Sequence, residues 1–138
     1  MSNFINLERF LKMEHANRYE YCISEISFLK TLWMAQTDDG LWVLVKDPDG
    51  NILVPLWASL EVAQAVSHKI DASSIPVKVD LDDFKDQWVR GLINDDYNLA
   101  VFPVFNEDND LEIIYATPLR LLHDIKEGES KLLQEKSH

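Results

Sequence analysis

Cys22 is the only thiol in the chain, so nucleophilic chemistry through sulfur has a single candidate. It sits with Tyr19, Ile23 and Ile26 at three- and four-residue spacing, on the apolar stripe of an expected helix, where a buried, inert thiol is the default. A lone cysteine also excludes an intramolecular disulfide and any multi-cysteine zinc or iron–sulfur centre. The histidines His15, His68, His123 and His138 are scattered, and none has another histidine at ligand spacing. Two acidic groups, Asp82, Asp83 and Asp86, then Glu107, Asp108 and Asp110, lack the mid-loop glycine and closing glutamate of a calcium loop. They read as a helix start and a solvated turn. No Gly-x-Ser-x-Gly, Walker-type or dinucleotide-type glycine pattern is present, and 4 glycines leave little material for a phosphate cradle. No catalytic, cofactor-binding or metal-binding residue is therefore expected. Carboxylate pairs for acid–base work stay open, because in so acidic a chain any two can meet in space.

The aromatic residues say more. Trp33, Trp42, Trp57 and Trp88, with Phe84, Phe102 and Phe105, either fill a core or line a groove, and the core is the favoured reading. Trp57 ends an apolar run and hands directly to a helix start, with Pro55 before it and Ser59 after it. A working surface is expected at this junction, formed by Trp57, Pro55 and Ser59 with Trp42 nearby.

The elements that must hold these residues follow from periodicity. Leu7, Phe10 and Leu11 suggest a short first helix, and Asn17 with Glu20 resembles a capping box opening a firmer helix from about residue 18 to 30. Residues 31–57 read as a three-stranded meander turned at Asp39-Gly40 and Asp49-Gly50, whose glycines supply the left-handed angles of tight hairpins. Its apolar residues point both ways, and Pro55, which has no N–H to donate, marks the third strand as an edge. Ser59 caps a helix with inner face Leu60, Ala63, Val66 and Ile70. A strand near 77–80 precedes a helix with the stripe Leu81, Phe84, Trp88 and Leu92, capped by Asp80 and stopped by Gly91 and Asn94. Residues 99–116 form a second hairpin, and Thr117-Pro118 opens a last helix ending near Gly128. The predicted fold is α+β: a mainly antiparallel sheet of about five or six strands with about four helices. It forms one domain over 1–138, with a core at about 16–127 and with 1–15 and 129–138 loosely packed.

Bulk properties bound the function. A chain of 138 residues with 46% hydrophobic content builds one substantial core. The net charge of -11 repels phosphate backbones and anionic lipid, which disfavours nucleic-acid and membrane binding; it allows basic partners, though such a charge more often serves solubility. The N-terminus lacks a basic start followed by a sustained apolar run, and no span approaches a membrane helix, so the expected compartment is a reducing cytoplasm.

Several segments together carry a resemblance: Arg18-Tyr-Glu-Tyr, Leu32-Trp33, Asp38-Asp-Gly40, Val54-Pro-Leu-Trp57 running into Ala58-Ser59, Phe84 to Leu92, and Val101-Phe-Pro103. Over about Ala16 to Ile125 the chain resembles an uncharacterised bacterial family, domain of unknown function 2750. The resemblance implies a small bacterial α+β domain, usually the whole protein, and implies no reaction, cofactor or catalytic residue. The residues favour a non-enzymatic protein-binding module with an unidentified, basic partner, an immunity-type inhibitor being one form. The alternative is an enzyme or small-molecule-binding domain with an aromatic-lined pocket between sheet and helices.

Overall fold

The computed structural model describes residues 9–136. A helical turn at 9–12 leads into helix α1, His15–Leu29, and strand β1, Thr31–Gln36. Strands β2, Val45–Lys46, and β3, Ile52–Leu56, precede helix α2, Leu60–Ile70, and strand β4, Ile75–Asp80. Helical stretch α3 joins α-helical residues Leu81–Asp83 and Val89–Asn94 through a π-helical segment, Phe84–Trp88. Strands β5, Asn98–Phe105, and β6, Leu111–Ala116, form a hairpin before helix α4, Pro118–Lys136. The fold is α+β, and the six strands among the described residues fall within the expected number.

Pairing adds what periodicity alone does not specify. Four strands form a sheet in the order β2–β3–β5–β6, while β1 pairs antiparallel with β4, its partner 40 or so residues away, and not with the next strand of the meander. The β3–β5 ladder is parallel; the others are antiparallel. The ribbon and the sheet are tied where Trp33 and Trp57 exchange backbone hydrogen bonds of 2.8 Å in both directions.

Three turns share one design. Thr37–Leu41, Asp47–Asn51 and Asn106–Asp110 each close with the first residue's N–H on the fifth residue's carbonyl, at 2.8, 3.0 and 2.9 Å. Each places its fourth residue in the left-handed region: Gly40 at φ 80, Gly50 at φ 86 and Asn109 at φ 66. Glycine and asparagine adopt this region at least cost, which is why the turns were legible in the sequence. Side chains reinforce two of them: Asp47 Oδ1 accepts from the N–H groups of Asp49 and Asn51, and Asn106 Oδ1 from those of Asp108 and Asp110.

The expectation that Pro55 marks an edge is corrected. β3 lies between β2 and β5, and Pro55 is buried opposite Ala100. Trp57 bonds toward β1, and backbone direction alternates, so the Pro55 nitrogen faces the same side as Trp57. It falls in the gap between the Leu53↔Val45 pair and the Trp33 bridge, where no ladder bond is required of it.

Helix ends and faces also differ from the sequence pattern. α1 begins at His15, with Glu14 and not Asn17 at the N-cap and no side-chain cap. Its buried face includes Arg18 and Ser27 beside Cys22, Ile23 and Ile26, whereas Leu29 is exposed. Ser59 does cap α2 by accepting from the Val62 N–H, but the inner face is Val62, Ala63, Val66 and Ser67, with Leu60 outside. Asp80 holds the N-cap position of α3 without a side-chain bond. Neither Gly91 nor Gly128 stops a helix. A Cβ on Gly128 would lie 2.6 Å from Ser27 Oγ, so this glycine instead lets α1 and α4 approach closely. That packing outweighs the roughly 1 kcal/mol by which a mid-helix glycine disfavours α4. α4 then continues to Lys136, and at its Glu129 it pairs with Lys30 and Lys85. At the other end, Leu7 lies outside the described residues, while Phe10 is buried against Phe102 and Tyr21.

Candidate functional site

A groove of about 650 Å³ opens between the β1–β2 connection and α3. The connection runs outward from the Thr37 turn, guided by the Val43 N–H on the Ala35 carbonyl at 2.9 Å. Val43 is buried there, while Leu41, Trp42 and Leu44 line the groove. Gln87, Trp88, Gly91 and Leu92 of α3 line it from the other side, and Val54 of β3, Asp95 and Tyr97 complete the lining.

The π-helical segment shapes that wall. Within Phe84–Trp88 the Val89 N–H reaches back five residues to the Phe84 carbonyl, which inserts one residue into the helical turn. Phe84 is thereby fully buried, while Trp88 stands half-buried at the groove. The Trp88 ring meets Trp42 edge to face, with centroids 4.7 Å apart at 81°. Beyond them, no neighbouring atom lies within 4 Å of where a Gly91 Cβ would project, so the wall is open at that point. Lys85 is held from outside by Glu129 at 2.6 Å. Burial would raise the Glu129 carboxyl, but hydrogen bonds and charge from Lys30 and Lys85 outweigh it and hold the group below its usual 4.5.

Other chemical groups lie outside the groove. Cys22 is fully buried, and burial pushes its thiol far up, which keeps it from acting as a nucleophile. A second, polar concavity of about 600 Å³ lies between α1 and α4, lined by His15, Tyr19, Arg120, Asp124 and Lys131 among others. Its central groups satisfy one another. The Tyr19 hydroxyl and Arg120 Nε both donate to Asp124, and burial followed by the Asp124 carboxylate raises the Tyr19 pKa. Among the described residues, His123, Asp124 and Glu127 bring three ligand-type atoms within 4.8 Å of one another. Here too the groups are in use: His123 faces Glu127 at 3.3 Å, and Asp124 serves Tyr19 and Arg120. Arg18 is buried with Nη1 on Glu112 at 3.2 Å, and its Nε and Nη2 have no hydrogen-bond partner.

Of the four residues expected at a working surface, only Trp42 lines the groove. Placing Pro55 and Trp57 at a surface is corrected by their burial in β3 and at its end. Trp57 is 0% exposed, and its indole N–H donates to the Pro103 carbonyl at 2.9 Å. Ser59 is spent on capping α2 and on a 3.0 Å bond to Glu61. Trp88 had been placed on a helix stripe, and Tyr97 and Gly91 carried no signal for a site; a π-insertion has no sequence pattern from which to read it.

No helix among the described residues is long and apolar enough to cross a membrane. No curated protein and no solved structure matches the chain. A family model does match, over residues 19–125, and its description is a protein of unknown function, DUF2750. With most of its length inside that match, from Tyr19 through the groove walls to Ile125 on α4, the chain belongs to the DUF2750 family.

Proposed function

We propose that the chain is a non-catalytic binding module that grips a protein partner by taking one of its side chains into the Trp42–Trp88 groove. The observation that carries this reading is an open concavity of about 650 Å³ walled by Trp42, Trp88, Leu41, Leu44 and Leu92. Its volume lies in the roughly 300–1,000 Å³ range of ligand sites. Leu41 is 64% exposed and Leu44 39%, so apolar surface remains to be covered. Covering it stabilises a complex by about 25 cal/mol per Å². Nucleophilic or acid–base catalysis uses a positioned pair of groups, whereas the lining offers one carboxylate, Asp95, with the Gln87 amide and the Tyr97 hydroxyl among aromatic and aliphatic side chains. That composition suits gripping better than bond breaking. A chain of charge -11 also draws basic partners in faster.

The test uses capped tripeptides differing only in the central residue, with leucine, norleucine, phenylalanine, tryptophan or lysine, titrated into isotope-labelled protein. At least one should move the indole N–H signals of Trp42 and Trp88 while leaving the buried Trp57 signal in place. Gly91→Leu, which fills the groove from an open helical position, should remove the response without changing the unfolding free energy by more than about 1 kcal/mol. Silence from all five peptides, or a response that survives Gly91→Leu, refutes the reading.

A further inference from the structure

Resting on the reading of the groove as a binding site, we propose that the side chain it takes is a lysine ammonium on its aliphatic stem, presented by a basic protein partner. Three features of the lining converge on a cation. Trp42, Trp88 and Tyr97 offer aromatic rings, whose negative faces attract ammonium groups. The two indoles meet edge to face at 81°, and both line the same groove. Asp95 supplies a carboxylate, and the lining contains no lysine, arginine or histidine to compete for it.

The third feature is the backbone. Gly91, Leu92 and Asp95 lie at the C-terminal end of α3, where aligned peptide dipoles leave partial negative charge, and no basic residue occupies that last turn. Of the basic residues elsewhere on α3, Lys85 is committed to Glu129 and Arg90 lies outside the lining. An uncharged apolar side chain would use the leucines and indoles but leave Asp95 and the helix end unanswered. A lysine uses both, with its stem along Leu41 and Leu44 and its head toward the indoles and Asp95.

The deciding experiment measures affinity, from Trp42 and Trp88 indole shifts in the full chain, for two capped pentapeptides identical except for lysine or norleucine at the centre. The lysine peptide should bind about 5- to 30-fold tighter, the factor that one ammonium over desolvated aromatic faces supplies. The advantage should shrink in 0.5 M salt and fall in Asp95→Asn, while Gly91→Leu should abolish binding of both peptides. Equal or stronger binding of the norleucine peptide overturns the cationic assignment and leaves the apolar groove standing. Tighter binding of free n-pentylammonium than of the lysine peptide overturns the protein source in favour of a small amine. No shift with any of the three probes overturns the binding site itself.

Discussion

Two tryptophan pairs sit close together in this chain and have opposite fates. Trp33 and Trp57 are fixed by paired backbone hydrogen bonds, and Trp57 is sealed by β5 behind it, with its indole N–H on the Pro103 carbonyl. Trp42 and Trp88 meet only through their side chains, one on an irregular connection and the other on a π-helical segment. The first pair closes the joint between ribbon and sheet; the second leaves a groove. Trp57 is structural here because it is fully buried and its indole N–H has a partner, whereas half-buried Trp42 and Trp88 line the groove.

The sharpest way to break this contrast is Trp57→Ala. It removes a fully buried ring and leaves the Pro103 carbonyl unanswered, so it should cost about 3–5 kcal/mol, a large part of a typical total near 5–15 kcal/mol. Denaturant titration would read this as a large drop in midpoint. A cost below about 1 kcal/mol would mean that Trp57 is not the closure described. Trp88→Ala, at a half-buried site, should cost only about 1–2 kcal/mol and spare the fold. A double-mutant cycle with Trp42→Ala should recover about 0.5–1.5 kcal/mol of coupling for the edge-to-face pair. Coupling near zero would show that the rings share a groove without supporting each other.

The contrast also explains what was legible beforehand. The turns at Gly40 and Gly50 and the Thr117-Pro118 start of α4 depend on a few adjacent residues, and these were read correctly. Ser59 as a cap is equally local. Pro55 and Trp57 were misplaced because their environment is set by Trp33 and by β5, far away along the chain. A proline and a tryptophan next to a helix start look like an edge until the neighbouring strands are known. Trp42 was placed at a surface and does line the groove, but its partner Trp88 is presented by a helical insertion that residue spacing does not encode. Arg18 within the buried face of α1 and Gly128 as a contact were missed for the same reason: each makes sense only against another element.

A smaller effect separates the pairs by pH. Glu129 holds Lys85, which lies in the segment that presents Trp88, and also Lys30, just before β1, while Trp57 is sealed behind β5. Its carboxyl is held below the usual 4.5 in the folded protein. A depressed acid contributes stability that is present above the unfolded value and is lost as pH falls through the folded one. Stability should therefore decline below about pH 4.5 partly through this group, and Glu129→Gln should flatten that acid limb. At neutral pH the variant should lose at most about 1 kcal/mol, because the ion pairs are partly exposed. Its Trp88 indole signal should move while that of Trp57 stays. An unchanged acid limb would show that Glu129 does not brace the open pair.

The smallest predicted change acts on the groove without touching either pair. Gly91 continues α3 with helical geometry and open space where a Cβ would go. Replacing it with alanine removes the extra conformational freedom that glycine has in the unfolded chain and adds no clash. Gly91→Ala should therefore stabilise the protein by about 0.5 kcal/mol, the lower end of the usual glycine penalty, since the site lies in the last turns of the helix. A single methyl narrows a groove of about 650 Å³ only slightly, so peptide binding should survive where Gly91→Leu abolishes it. Thermal unfolding and indole shifts measured on the same sample test both halves. A destabilised alanine variant would mean that α3 needs glycine at this position for a backbone reason, and blocked binding by leucine could then no longer be assigned to the filled groove alone.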